Sequence, residues 1–124
     1  MWLRSYLKEL RYQSQNLSNR AVSSVFFGGG TPSLMSASAI EQILNEIELL
    51  WGFAKNIEIT VEANPSSSEA KNFRDFKNAG VNRISIGVQS LNEASLGFLG
   101  RKHSAVEAKN AVLTASKYFS RFSF

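Results

Sequence analysis

Groups that could bind a small molecule follow three short apolar stretches of the sequence. They occupy residues 28–31, 62–65 and 89–90, which read Gly-Gly-Gly-Thr, Glu-Ala-Asn-Pro and Gln-Ser. Consecutive glycines let a ligand approach the backbone closely and leave N–H groups free to donate. A carboxylate and an amide beside them can bind amines and hydroxyls. Together these groups suit a small molecule that carries a nucleoside.

Each of these groups also has an ordinary structural interpretation. A glycine triplet is usually a permissive turn, and a single glutamate such as Glu62 is usually a solvated carboxylate. Arg101 and His103 are interpreted in the same way, as a surface charge and a satisfied loop histidine. The sequence contains neither Gly-Lys-Ser/Thr nor G-x-G-x-x-G, which excludes the common nucleotide phosphate loops. The coincidence of suitable groups after three successive stretches nevertheless favours one shared site.

Short β-favouring stretches alternate with amphipathic helical patterns along the chain. A helix is predicted over residues 2–12, and strands are predicted around 22–28, 56–62 and 83–89, each followed by a helical pattern. A helix between two strands returns the chain to the starting edge, so the strands should run parallel. The sequence therefore predicts an α/β fold of three parallel strand-helix units preceded by a helix, in a single domain over residues 1–124.

Two of the predicted strands alternate between apolar and polar residues. In 57–62 the odd positions are apolar and the even positions are polar. The segment 83–89 also alternates, with its apolar residues at the even positions. A doubly wound sheet is covered on both faces and is apolar on both. A barrel with helices outside and a wet lumen has one apolar and one polar face, and its site lies at the carboxyl ends of the strands. We therefore expect part of a barrel, with helices on one face.

The three long helices are each predicted to begin with Ser-x-x-Glu, the pattern of a capping box. The pairs are Ser38 with Glu41, Ser66 with Glu69, and Ser104 with Glu107.

Composition limits the partners of the chain. Its 124 residues carry a net charge of +4, but the basic residues are scattered singly, which does not favour nucleic acid. The longest apolar runs are far shorter than the roughly 18 residues of a membrane span, and no secretory signal is present, so we expect a soluble cytoplasmic protein. The absence of cysteine excludes disulfides and any iron–sulfur cluster held by this chain alone.

Four segments, taken in order, resemble the radical S-adenosylmethionine enzymes of the oxygen-independent coproporphyrinogen III oxidase type. They are FGGGTPSL at 27–34, EITVEANP at 58–65, GVNRISIGVQS at 80–90 and LGRKHSA at 99–105. The resemblance covers about residues 1–119, and the Thr-Pro-Ser, Glu-Ala-Asn-Pro and Val-Gln-Ser versions look more like the heme chaperone branch than the oxidase.

This resemblance implies a site for S-adenosylmethionine at the strand ends. The glycine-rich segment would contact the cofactor through its backbone, and Glu62 would hold the cofactor's polar groups. Gln89 and Arg101 would bind the cofactor or a second molecule. Asn64 with Pro65 would shape the turn beneath it, and Gly87 would leave space in the lumen. The implied cofactor-binding residues are Gly29, Gly30, Thr31, Glu62, Gln89 and Arg101.

Two departures from the family pattern limit what the resemblance implies. The Cys-x-x-x-Cys-x-x-Cys motif that holds the family's [4Fe–4S] cluster is missing, and the sequence stops where the family would begin its next strand. We therefore expect an incomplete radical S-adenosylmethionine core domain, related to heme biosynthesis or heme delivery, that lacks reductive cleavage activity by itself.

The partners that the resemblance implies are of two kinds. In full-length relatives the partner is heme or a porphyrinogen, and for this chain it is a complementary chain that supplies the missing barrel strands. Two alternatives remain, a nonenzymatic interaction module whose basic ends and exposed sheet edge recruit a partner, and a pseudogene product without activity.

Overall fold

Parallel β-strands joined by helices account for most of residues 2–17 and 19–124, the part of the chain that this computed structural model describes. In these residues the strands are β1 (Val22–Phe27), β2 (Phe53–Ala63), β3 (Arg83–Ile86) and β4 (Arg121–Ser123). The helices are α1 (Trp2–Ser14), α2 (Ala37–Trp51), α3 (Ser67–Ala70), α4 (Phe73–Asn78), α5 (Glu93–Phe98) and α6 (Ala105–Tyr118). The strands pair in the order β1-β2-β3-β4, all parallel, which confirms the predicted α/β class.

One face of the sheet is apolar and packs against helices. Val25 of β1 lies opposite Ile59 of β2, and Val61 of β2 lies opposite Ile84 of β3, so side chains of one parity form a continuous layer. Helices α2, α4 and α6 cover this layer with buried apolar side chains, chiefly Ile40, Leu44, Phe73, Phe76, Ala108 and Ala111. The side chains that α6 buries are all alanines. This packing matches the expected barrel segment with its helices outside.

The opposite face of the sheet is polar, as the alternation predicts. Arg83 donates from Nη2 to the Ser123 hydroxyl at 2.9 Å, and its Nη1 lies 3.8 Å from the Glu58 carboxylate. Arg121 forms a second ion pair with Glu58. Phe26 is the exception on this face, since it pairs with Thr60 and is 56% exposed. The polar face thus holds a charged network below the carboxyl ends of the strands.

Strand bounds differ from the predicted ones for local reasons. Strand β2 starts at Phe53, earlier than predicted, because Gly52 adopts a φ of 73° that ends α2 and its carbonyl accepts from Val22 N at 3.0 Å. Strand β3 ends early, at Ile86, because Val88 N donates to the Ile86 carbonyl at 2.8 Å and turns the chain.

The three predicted strands are confirmed, and the described residues add a fourth, β4, at the segment where the resemblance places the family's next strand. Two residues separate the end of α6 at Tyr118 from β4, which pairs with β3 through Arg83 and Arg121. A three-residue strand shows too little alternation to be recognised in a sequence. Helix α5 was not predicted either, because six residues are too few to show a helical repeat of apolar positions.

Capping distinguishes the helices that the sequence treated alike. At α6 the box is complete, since Glu107 N donates to the Ser104 hydroxyl at 3.1 Å and Ser104 N donates to the Glu107 carboxylate at 3.0 Å. At α2 the prediction of Ser38 was wrong, because Ser36 caps the helix and accepts from Ala39 N at 3.1 Å. Nothing among the described helices is both long and apolar enough to cross a bilayer.

Candidate functional site

A cavity of about 390 Å³ opens at the carboxyl ends of the strands. Most of the residues that the sequence singled out line it, namely Gly30, Thr31, Glu62, Gln89 and Arg101. Gly29 lies in the adjoining wall, where its N–H donates to the Glu62 carboxylate at 3.3 Å. The structure therefore brings the six predicted residues to one place, although they come from four separate segments of the chain.

The loop after β1 depends on its glycines. Gly29 has a φ of 80° and Gly30 a φ of 61°, a region of backbone conformation that L side chains rarely adopt. A Cβ at Gly28 would lie 2.7 Å from the Phe26 ring and 3.3 Å from the Glu62 carboxylate. Gly29 and Gly30 are thus favoured by their positive φ, and Gly28 by its close approach to the Phe26 ring and the Glu62 carboxylate.

Arg101 reaches the cavity from the segment after α5. Its Nη2 donates to the Gly87 carbonyl at 2.9 Å and to Asn64 Oδ1 at 3.2 Å. Its Nε is buried and finds no hydrogen-bond acceptor among the residues that the structure describes. A buried donor without an acceptor is uncommon in folded proteins. Because this nitrogen has almost no accessible surface, a ligand in the cavity would reach it only if the guanidinium moved.

Gln89 sits in a strained turn beside the cavity. Its φ is 65°, and Ser90 N donates to the Val88 carbonyl at 2.7 Å across it. A three-residue turn with positive φ at its centre is a rare conformation for a residue other than glycine, and such strain concentrates at functional positions. His103 supports the turn, because its buried ring lies with Nε2 3.1 Å from the same carbonyl and must donate to it. The satisfied loop histidine expected from the sequence is therefore found.

Glu69 is the residue whose role at the site sequence reasoning missed. Ser66 caps α3 through Glu69 N at 3.3 Å, but the Glu69 carboxylate does not complete the predicted box. It accepts instead from Asn64 N at 2.8 Å, from Asn64 Nδ2 at 3.2 Å and from the Ser33 hydroxyl. No local pattern signals this arrangement, because its donors lie before the helix and in the loop after β1.

The chain belongs to the radical SAM superfamily, whose family model matches residues 5–124. Within that superfamily it is similar to proteins of the heme chaperone type. It is 48% identical over 104 residues to the heme chaperone HemW of Haemophilus influenzae. The aligned residues make up 84% of this chain and 27% of that protein. It is 44% identical over 115 residues to the heme chaperone HemW of Escherichia coli, covering 93% of this chain and 30% of that protein.

A mitochondrial relative and a solved structure extend the comparison. The radical S-adenosyl methionine domain-containing protein 1 of Bos taurus is 44% identical over 100 residues, which cover 81% of this chain and 23% of that protein. The coproporphyrinogen III oxidase HemN of Escherichia coli, described as a radical SAM enzyme, superposes with a TM-score of 0.82 at 23% identity. It covers 97% of this chain and 28% of the oxidase, and it shows the fold alone.

These comparisons confirm the family and the partial barrel inferred from the four segments. The chain spans less than a third of the length of the curated relatives it matches. Radical SAM proteins use S-adenosylmethionine together with a [4Fe–4S] cluster, and this sequence contains no cysteine to ligate one.

The residues present do not fit an iron–sulfur cluster. The single histidine, His103, is buried and directs Nε2 to a backbone carbonyl. Throughout residues 2–17 and 19–124 there is no group of three or more His, Cys, Asp or Glu placed to hold a metal ion.

Proposed function

We propose that this chain binds S-adenosylmethionine at the carboxyl ends of its strands and that it is a heme-chaperone-like radical SAM core. The observation that carries the proposal is the convergence of the glycine loop, Glu62, Gln89 and Arg101 on one cavity. A volume of about 390 Å³ lies in the range of small-molecule pockets. The donor set suits a ligand that has hydroxyls, an amine and a carboxylate.

Each group has a distinct part in this binding. The backbone of Gly29, Gly30 and Thr31 would contact the cofactor where the chain has no bulky side chains. The Glu62 carboxylate accepts hydrogen bonds and would hold hydroxyl or ammonium groups. Gln89 and Arg101, which both line the cavity, would bind the cofactor or a second molecule. When bound, the cofactor supplies an adenosyl group on a sulfonium centre.

Binding is proposed without cofactor cleavage by the chain alone. Reductive cleavage needs an electron from a cluster that these residues do not fit. Anaerobic reconstitution with iron and sulfide should therefore yield neither a cluster signal nor 5′-deoxyadenosine. Formation of both by the isolated chain would overturn this part of the proposal.

We propose further that the chain works in heme delivery or heme biosynthesis in the cytoplasm, as a single incomplete radical SAM core domain over residues 1–124. The names of the bacterial relatives support the heme-delivery part of this proposal, since they are called heme chaperones. Heme or a porphyrinogen would be the partner of the corresponding longer proteins.

Calorimetric titration of the wild-type chain with S-adenosylmethionine tests the binding proposal. Glu62→Gln should weaken binding about tenfold, because it removes a charge-assisted hydrogen bond. The matched control is Glu41→Gln, the same chemical change on the exposed side of α2. Saturable binding that Glu62→Gln leaves unchanged, or no binding by the wild-type chain, would overturn the proposal.

A second candidate is an interaction module, favoured by the edge of the sheet at β1. An apolar groove of about 840 Å³ runs beside that strand, lined by Trp2, Tyr6, Phe26 and Met35 among others. Trp2 is 80% exposed and Tyr6 is 52% exposed. The proposed occupant is a polypeptide that pairs with β1 and supplies barrel strands of the kind present in the longer relatives.

Coexpression with the part of the Escherichia coli heme chaperone HemW outside the matched region tests this candidate. A complex should form, and Trp2→Ser together with Phe26→Ser should abolish it. Failure of the two proteins to copurify would overturn it.

A further inference from the structure

Glu69 joins two of the segments that form the cavity. It is buried at the start of α3, with 8% of its surface exposed. One carboxylate oxygen, Oε2, accepts from Asn64 N at 2.8 Å and from the Ser33 hydroxyl, and the other, Oε1, accepts from Asn64 Nδ2 at 3.2 Å. The carboxylate thereby ties the loop after β1 to the turn after β2.

These contacts set the orientation of the Asn64 amide. An ionised carboxylate only accepts hydrogen bonds, so the NH₂ group of Asn64 must face Glu69. The amide oxygen then faces the other way, where it accepts from Arg101 Nη2 at 3.2 Å. The same Nη2 donates to the Gly87 carbonyl at 2.9 Å. Two acceptors of fixed direction thus hold the guanidinium at the cavity.

We propose that Glu69 is the positioning residue for Arg101, acting through the amide orientation of Asn64. The inference deepens the proposed function, because it rests on Arg101 binding S-adenosylmethionine in this cavity. Glu69 itself does not line that cavity, and its carboxylate acts from behind the wall. Its effect on the ligand is therefore indirect and passes through a hydrogen bond whose polarity can be reversed by substitution.

Replacing Glu69 by glutamine reverses that polarity. The glutamine oxygen must accept from Asn64 N and from the Ser33 hydroxyl, which leaves its NH₂ group facing the NH₂ group of Asn64. The Asn64 amide would turn to relieve the conflict and would then present its NH₂ group to Arg101, where two donors meet. Glu69→Gln should therefore release the guanidinium and weaken binding about tenfold.

A second substitution, at Asn64, should restore the hydrogen bonds that join residue 69 to residue 64 and residue 64 to Arg101. In the double variant Glu69→Gln/Asn64→Asp the glutamine NH₂ donates to one oxygen of the new carboxylate, and the other oxygen accepts from Arg101. The net charge of the pair is unchanged. Asn64→Asp alone places two carboxylates against each other and should also weaken binding. The same Glu69→Gln change is thus expected to lower affinity beside Asn64 and to raise it about tenfold beside the aspartate.

Two measurements on the full chain separate this proposal from the proposed function. Calorimetry with S-adenosylmethionine reports affinity, and NMR of the Arg101 guanidinium without ligand reports whether its rotation is restricted. The Arg101 guanidinium signal should be sharp in the wild type and in the double variant, and it should be broader in Glu69→Gln than in either. If the wild type binds no S-adenosylmethionine but the guanidinium signals behave as stated, the proposed function falls and the positioning role stands.

Glu107→Gln is the matched control, since Glu107 occupies the same helix position in α6, where its carboxylate, unlike that of Glu69, accepts from the capping serine Ser104. It should lower stability without changing the Arg101 signal. If Glu69→Gln does not fold, the comparison of Asn64→Asp with the double variant still tests the proposal, because the double variant is expected to bind more tightly. A Glu69→Gln change that lowers affinity in both backgrounds, or that leaves both readouts at wild-type values, would overturn the proposal.

Discussion

Arg101 Nη2 donates to the backbone carbonyl of Gly87 at 2.9 Å, across the wall of the cavity at the strand ends. A Cβ at Gly87 would lie 3.6 Å from this nitrogen and 3.5 Å from Gln89 Nε2, which is ordinary contact. Gly87 therefore keeps open the space between two polar side chains that are predicted to bind the ligand.

Enlarging residue 87 should affect the ligand before it affects the fold. Gly87→Ala should change the free energy of unfolding by less than about 1 kcal/mol, since the methyl group fits and reduces the conformational entropy of the unfolded chain. Gly87→Leu should displace Arg101 and weaken S-adenosylmethionine binding about tenfold. Urea melts and calorimetric titrations measure the two effects. Equal losses of affinity and stability in both variants would contradict this view of Gly87.

Removing the side chain of Gln89 should separate strain from binding. Gln89→Gly relieves the left-handed backbone and should raise the free energy of unfolding by up to about 1 kcal/mol. Gln89→Ala keeps the strain and loses the amide, so it should bind the ligand as weakly as the glycine variant without gaining stability. Urea melts of the three proteins provide the comparison. If the glycine and alanine variants melt together, the strain is not what the dihedral angle indicates.

Stability should depend on pH through Glu107. The backbone N–H of Ser104, followed by its hydroxyl, holds the pKa of the Glu107 carboxyl below its usual value of 4.5. A carboxyl with a lowered folded-state pKa stabilises the fold above its unfolded pKa, and that contribution is lost as pH falls through the folded value. The difference in urea midpoint between wild type and Glu107→Gln should therefore shrink from about pH 6 to about pH 3. A difference that grows on acidification would reverse the assigned sign.

The chain by itself should be marginally stable or prone to self-association. It exposes 7911 Å², whereas a compact monomer of this mass is expected to expose about 6,600 Å². A polypeptide that supplies barrel strands should raise the urea midpoint more than S-adenosylmethionine does. A monomer that unfolds cooperatively with several kcal/mol of stability would contradict this prediction.

Local patterns were sufficient for the class of fold and for most of the cavity. The alternation in 57–62 depends only on the period of a β-strand, so it identified both faces of β2 before any partner was known. The glycine triplet likewise marked a loop whose backbone needs positive φ, and parallel strands place such loops at one edge. The predicted residues therefore met at the cavity because topology follows from the order of the strands and helices.

Contacts between distant segments were beyond the sequence. Spacing alone predicted that Glu69 caps its own helix, as Glu107 does, yet its carboxylate turns to Asn64 and Ser33. The alternation of β3 continues in the sequence to Gln89, yet the strand ends at Ile86 and Gln89 adopts a left-handed turn. The sequence by itself determined which residues are polar and which elements carry them. Only the tertiary structure decided which donor meets which acceptor, because a buried carboxylate takes whichever N–H and O–H groups the packed helices and loops bring within reach.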